Sequence, residues 1–117
     1  MRLASFSANY IGGLADISIT SFSGQGGGVL ANVNRWRKQL GLNSHSLSQI
    51  NNSIILKKSD LGNYKLIKII NEDKPLSAFL CSIIEIKNST VFVKMNASIS
   101  GINQLEEEFI TFCSSFK

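Results

Sequence analysis

The sequence predicts an α+β fold: a mostly antiparallel sheet of about six strands, sandwiched between a helix in the N-terminal half and a helix at the C-terminal end. Three observations carry this. Six stretches of strand length alternate apolar with polar residues or are apolar throughout, and short turns join them in pairs. Two other stretches repeat apolar residues at steps of three and four, the period of an amphipathic helix. Finally, Phe79-Leu80-Cys81 and Ile83-Ile84 are apolar at successive positions, so their strand needs cover on both faces. One helix per face supplies that cover and makes three layers.

The chain of 117 residues is expected to form a single domain over 1–117, large enough to bury a core without disulfide or metal staples. With 44% hydrophobic and 17% charged residues, its composition is that of an ordered globular protein. The net charge of +4 permits attraction to acidic surfaces or nucleic acid without demanding it.

In chain order, Arg2–Tyr10 alternates Leu3, Ser5 and Ser7 against Ala4, Phe6, Ala8 and Tyr10, a half-buried strand. Gly12-Gly13 turns it into Leu14–Phe22, where Ala15, Ile17 and Ile19 oppose Asp16, Ser18 and Thr20. A glycine-rich turn, Gly24–Gly28, leads into a helix whose apolar stripe is Val29, Val33, Trp36 and Leu40 and which Gly41 stops. Asn32, Arg35, Lys38 and Gln39 are expected on its polar face, with Asn34 and Arg37 on the flanks. Ser46-Leu-Ser-Gln49 has the form of a capping box, which suggests a short helix through Asn51. Ser53–Lys58 and Asn63–Ile70 are strands around a Ser59–Gly62 turn, and Asn71–Pro75 is a loop. Ser77–Lys87 and Thr90–Ala97 form a hairpin around Asn88-Ser89, with Val91, Val93 and Met95 on one face and Phe92 and Lys94 on the other. The last helix has a wide apolar stripe of Ile102, Leu105, Phe109, Phe112, Cys113 and Phe116. Glu106, Glu107 and Glu108 fill its early polar side.

The residues that could carry chemistry are few. The sole histidine, His45, lies in a loop, and Cys81 and Cys113 fall on apolar patterns, so no Ser-His-Asp or Cys-His arrangement is expected. Buried free thiols are expected instead, and neither cysteine has a second ligand at metal spacing. Asp60, Glu72, Asp73 and Glu85 sit near turns or strand ends and read as solvated carboxylates. Trp36 lies on the apolar stripe and is expected in the core. The sequons Asn51-Asn-Ser53, Asn88-Ser-Thr90 and Asn96-Ala-Ser98 carry no weight without a secretory leader. No stretch approaches the roughly 20 apolar residues that cross a bilayer, and Met1–Phe6 lacks a signal-peptide pattern. A soluble chain is expected, cytoplasmic unless an envelope-targeting leader has been removed.

Two surfaces are candidates for binding. The strand–glycine turn–helix layout at Gly24, Gln25 and Gly26 resembles phosphate-binding loops, where backbone amides and a helix N-terminus meet an anion. It departs from the dinucleotide fingerprint at Val29 and has no Lys-Ser/Thr pair for a nucleoside triphosphate. The helix surface of Asn32, Arg35 and Lys38 offers side-chain donors to an acidic partner or phosphate. Nucleic acid ranks last, since the sequence shows no nucleic-acid-binding module.

Ala15-Asp-Ile-Ser-Ile-Thr20 followed by Gly26-Gly-Gly-Val-Leu-Ala-Asn-Val-Asn-Arg-Trp-Arg-Lys-Gln-Leu-Gly-Leu42 is similar to a segment of small bacterial proteins of the PsbP-like superfamily. Val91–Met95 and Phe109–Phe116 resemble the tail of the same proteins, and the Asn-Arg-Trp-Arg helix is the specific part. The resemblance implies an antiparallel sheet between helices and a non-catalytic domain that binds or stabilises other proteins. It implies no cofactor. The expectation is therefore a non-enzymatic chain, without metal or cofactor, that binds a protein partner. The alternative is an anion or nucleotide at the glycine turn.

Overall fold

The computed structural model describes residues 2–24, 28–60 and 62–115. In chain order these form β1 (Arg2–Tyr10), β2 (Gly13–Ser23), α1 (Val29–Gln39), α2 (Leu47–Ser53), β3 (Ile55–Ser59), β4 (Gly62–Ile70), β5 (Ala78–Ile86), β6 (Ser89–Ala97) and α3 (Ile99–Ser114). The six strands make one sheet in the order β1-β2-β6-β5-β4-β3, and every neighbouring pair is antiparallel. The two expected hairpins, β1–β2 and β5–β6, form, and β3 and β4, expected as strands joined by a turn, pair as a third. Asn88 turns the β5–β6 hairpin with φ 64°, a left-handed conformation that asparagine tolerates.

Tertiary structure adds the seam between β2 and β6, where Asp16–Ser23 lie antiparallel to Ser89–Asn96. Leaving β2, the chain must reach the far edge at β3, four strand spacings or about 19 Å away. The chain makes that crossing through α1, the connection after it and α2. The chain then returns strand by strand until β6 closes against β2.

Side-chain alternation sorts the core into two clusters. Leu80, Ile84, Val93, Met95, Tyr64 and Leu66 join Ile102, Leu105, Phe109 and Cys113 of α3. Phe79, Cys81, Ile83, Phe92, Ile67 and Ile69 join Val33, Trp36 and Leu40 of α1 and its end, together with Ile50 of α2. Successive residues of β5 thus alternate between the clusters, which explains its uninterrupted buried run from Ala78 to Ile84. Trp36 lies in the core as expected, edge-on to Phe92 with ring centroids 5.6 Å apart. Phe116, expected on the α3 stripe, lies outside the described residues.

The helix ends follow from local chemistry. At the end of α1, the Gly41 amide donates to the Lys38 carbonyl (3.0 Å) and the Leu42 amide to that of Arg37 (2.9 Å), with Gly41 at φ +76°. That is a glycine-closed helix end satisfying two otherwise orphaned carbonyls. The Ser46–Gln49 capping box forms in full. Its helix extends to Ser53, beyond the expected Asn51, so β3 begins at Ile55 and not at Ser53. Ile50, fully buried, anchors the extra turn. The β1 strand also departs from expectation. It is an edge strand, exposed from Arg2 to Ser7, and the α1-side cluster contains no residue of β1 or β2 to cover Arg2, Ser5 and Ser7.

Candidate binding surface

The polar face of α1 divides once the side chains are placed. Asn32 is a correction: it is 2% exposed and turned inward, its amide donating to the Gly28 carbonyl at 2.6 Å. Gly28 adopts φ 86° and provides no side-chain cap, and its carbonyl also accepts from the Asn32 backbone amide at 3.3 Å. Asn34 is similarly occupied, accepting from the His45 amide (2.8 Å) and donating to the His45 carbonyl (3.0 Å). Arg37 donates from Nε to the Asn43 carbonyl at 2.7 Å. Three of the helix's polar side chains therefore tie down its own start and the following loop. Arg35 and Lys38 remain exposed.

At the glycine turn, Gly24 is pinned to the β5–β6 hairpin. Its amide donates to the Asn88 carbonyl (2.9 Å), and its carbonyl accepts from the Thr90 hydroxyl (2.6 Å). That amide is thereby committed to the fold. Gln25 and Gly26 lie outside the described residues.

A third region, beside α1, was not anticipated as a site. On the sheet face that α1 packs against, cross-strand register builds three polar rows: Arg2 beside Thr20 and Phe92, Ser5 beside Ser18 and Lys94, and Ser7 beside Asp16 and Asn96. Arg2, Ser5, Ser18, Lys94, Ser7, Asp16 and Asn96 of these rows, with Gln39 at the end of α1, line a groove of about 490 Å³. A recess of about 150 Å³ continues from it past Thr20, Arg35 and Trp36. Lys94 is the cation most constrained by its surroundings. Its ammonium lies 4.0 Å from the centroid of the Phe79 ring and donates to Gln39 Oε1 at 3.0 Å. Burial pulls its pKa below the ordinary lysine value, and the nearby Arg35 and Arg2 add to that while the Cys81 side chain opposes it. Arg35 lies 5.9 Å from the Trp36 ring. Among the described residues the ion pairs are Lys65–Glu85 and Lys68–Glu106, so Arg2, Arg35, Lys38 and Lys94 form no ion pair with a carboxylate. One sequence signal marked the spot: Lys94 follows Phe92 by two residues, on the strand face from which Phe92 enters the α1-side core.

The thiols are sequestered. Burial pushes Cys81 up to about 12 and Cys113 up to about 11, although Lys94 and the Ser82 hydroxyl respectively pull the other way. At pH 8 both thiols are then almost wholly protonated, and the thiolate is the reactive form. Native protein should react with an aromatic disulfide reagent at least 100-fold more slowly than protein in denaturant, where both thiols should titrate. Fast reaction of the native chain would contradict the burial of both.

Among the described residues, fold and surface together define an α+β chain with a six-stranded antiparallel sheet, three helices and a basic groove beside α1. Comparison with protein-family models, curated proteins and solved structures gives no match. Among the described residues no group of His, Cys, Asp or Glu is placed to hold a metal ion, and no helix is long and apolar enough to cross a membrane.

Proposed function

We propose that this chain is a non-enzymatic, PsbP-like α/β/α sandwich domain spanning 1–117, whose α1 face binds an acidic surface on a protein partner. The sandwich reading is supported by the two core clusters, one containing α3 and the other α1 and α2. The observation that carries the binding reading is the pair Arg35 and Lys38. Both are exposed on a helix whose two ends are fixed by internal hydrogen bonds, and neither is ion-paired among the described residues. A rigid element presenting an unneutralised guanidinium suits forked hydrogen bonding to carboxylates. The sequestered thiols support a non-catalytic role, since a buried thiol of raised pKa is a poor nucleophile.

Charge reversal tests this. The double variant R35E/K38E should lose at least tenfold in affinity for a partner captured by the wild-type chain, with its melting temperature within a few degrees of wild type, because neither side chain is buried. Raising salt should weaken the wild-type complex in the same direction. Retention of the partner by a folded double variant would remove this face from consideration.

A further inference from the structure

We propose that the groove between α1 and the β1–β2–β6 face binds a phosphorylated sugar, its phosphate held by Arg2, Arg35 and Lys94 and its hydroxyls by the row containing Asp16. This goes beyond the partner reading, with which it shares Arg35 but not Lys38, Arg2 or Lys94.

The anionic pole follows from three cations converging without a neutralising carboxylate. Arg2, Arg35 and Lys94 all line the recess, and two of them rest against aromatic rings that restrict where the charge can go. Like charges brought together on a partly buried surface are unfavourable, and a bound dianion removes that penalty. Two guanidinium groups also provide forks that match phosphate oxygens.

The hydroxyl pole follows from the register. Asp16 lies opposite Asn96 and Ser7, and Lys94 lies opposite Ser18, two residues further along β2. Two residues along a strand is about 7 Å, comparable to the reach from a hexose phosphate group to the hydroxyls across its ring. A carboxylate at that distance repels a second charge but accepts hydrogen bonds from hydroxyls, while Asn96 and Gln39 can both donate and accept. The walls from β1 and β2 expose serine hydroxyls, and about 490 Å³ lies within the volume range of small-ligand sites. The helix itself explains why the groove stays open: the apolar residues of α1 pack over β4, β5 and β6 and leave β1 and β2 uncovered.

Isothermal titration of the whole chain with glucose 6-phosphate, mannose 6-phosphate, galactose 6-phosphate, the three parent hexoses and inorganic phosphate tests this. At least one hexose phosphate should bind tenfold or more tightly than both its parent sugar and inorganic phosphate. R2Q and K94M should each weaken that binding at least tenfold. D16N should narrow the preference over inorganic phosphate. Arg2 is exposed on an edge strand, so R2Q keeps the test valid even if K94M disturbs folding. Equal binding of phosphate and every hexose phosphate would mean an adventitious anion only and would overturn the proposal. Absence of binding, or binding unaffected by R2Q, would overturn it too. Because Lys38 lines neither the groove nor the recess and Arg2 lies off α1, K38E alone addresses the partner and R2Q the groove, so failure of one reading is distinguishable from failure of the other.

Discussion

Replacing Trp36 by alanine is expected to lower unfolding stability by about 3–5 kcal/mol, the usual cost of removing a large aromatic side chain from a core. Stabilities of small proteins run to about 5–15 kcal/mol, so this single change removes a large share. The indole is 2% exposed and packs edge-on against Phe92 in the cluster that includes Val33, Leu40 and Phe79. Urea denaturation of wild type and Trp36→Ala measures the loss, and a change below about 1 kcal/mol would show that α1 contributes little to that core. The two thiols also report where the damage falls. Cys81 belongs to the α1-side cluster and Cys113 to the α3-side cluster. Trp36→Ala should therefore accelerate labelling of Cys81 more than of Cys113 under native conditions, because local opening exposes the weakened side first.

The second large effect concerns Gly101, in the first turn of α3. Alanine is the better helix former by about 1 kcal/mol, so on propensity alone Gly101→Ala should stabilise the protein. Packing reverses the sign. A Cβ at this position would come within 2.5–2.9 Å of atoms of the Tyr10 ring. Tyr10 cannot swing aside freely, since its hydroxyl accepts from the Ser98 amide at 3.3 Å and its ring packs against the α3-side core. The expected result is destabilisation by about 1–3 kcal/mol, the range for overpacking. In a Tyr10→Ala background the same Gly101→Ala change should become neutral or favourable. A double-mutant cycle on thermal or urea unfolding measures this coupling. Additive effects would show that the ring and the glycine are independent.

Legibility in the sequence varied with the range of the interaction. Turn chemistry was local and readable: the Ser46–Gln49 capping box and the Gly41 helix stop form as their residue types dictate. Burial parity was readable wherever a strand or helix had one wet face, as for Ala15 and Ile17 or Val33 and Trp36. Asn32 was misplaced for a physical reason. Its polarity suggests solvent, but its side-chain amide finds a partner one turn back in the Gly28 carbonyl, and a buried amide that is satisfied carries little cost. The basic groove was invisible for another reason. Arg2, Arg35 and Lys94 lie 33 and 59 residues apart in the chain, and only strand register and the position of α1 bring them together.

The sequence by itself determined the elements and the need for two-sided burial. Periodicity, caps and turn residues act over a few residues and leave their mark in order along the chain. Tertiary structure alone decided that β2 would pair with β6, that β1 and β2 would keep an uncovered polar face, and that three cations would gather beside α1. The physical reason is that such contacts join residues remote in sequence, whose pairing depends on which faces the helices bury and not on any local preference.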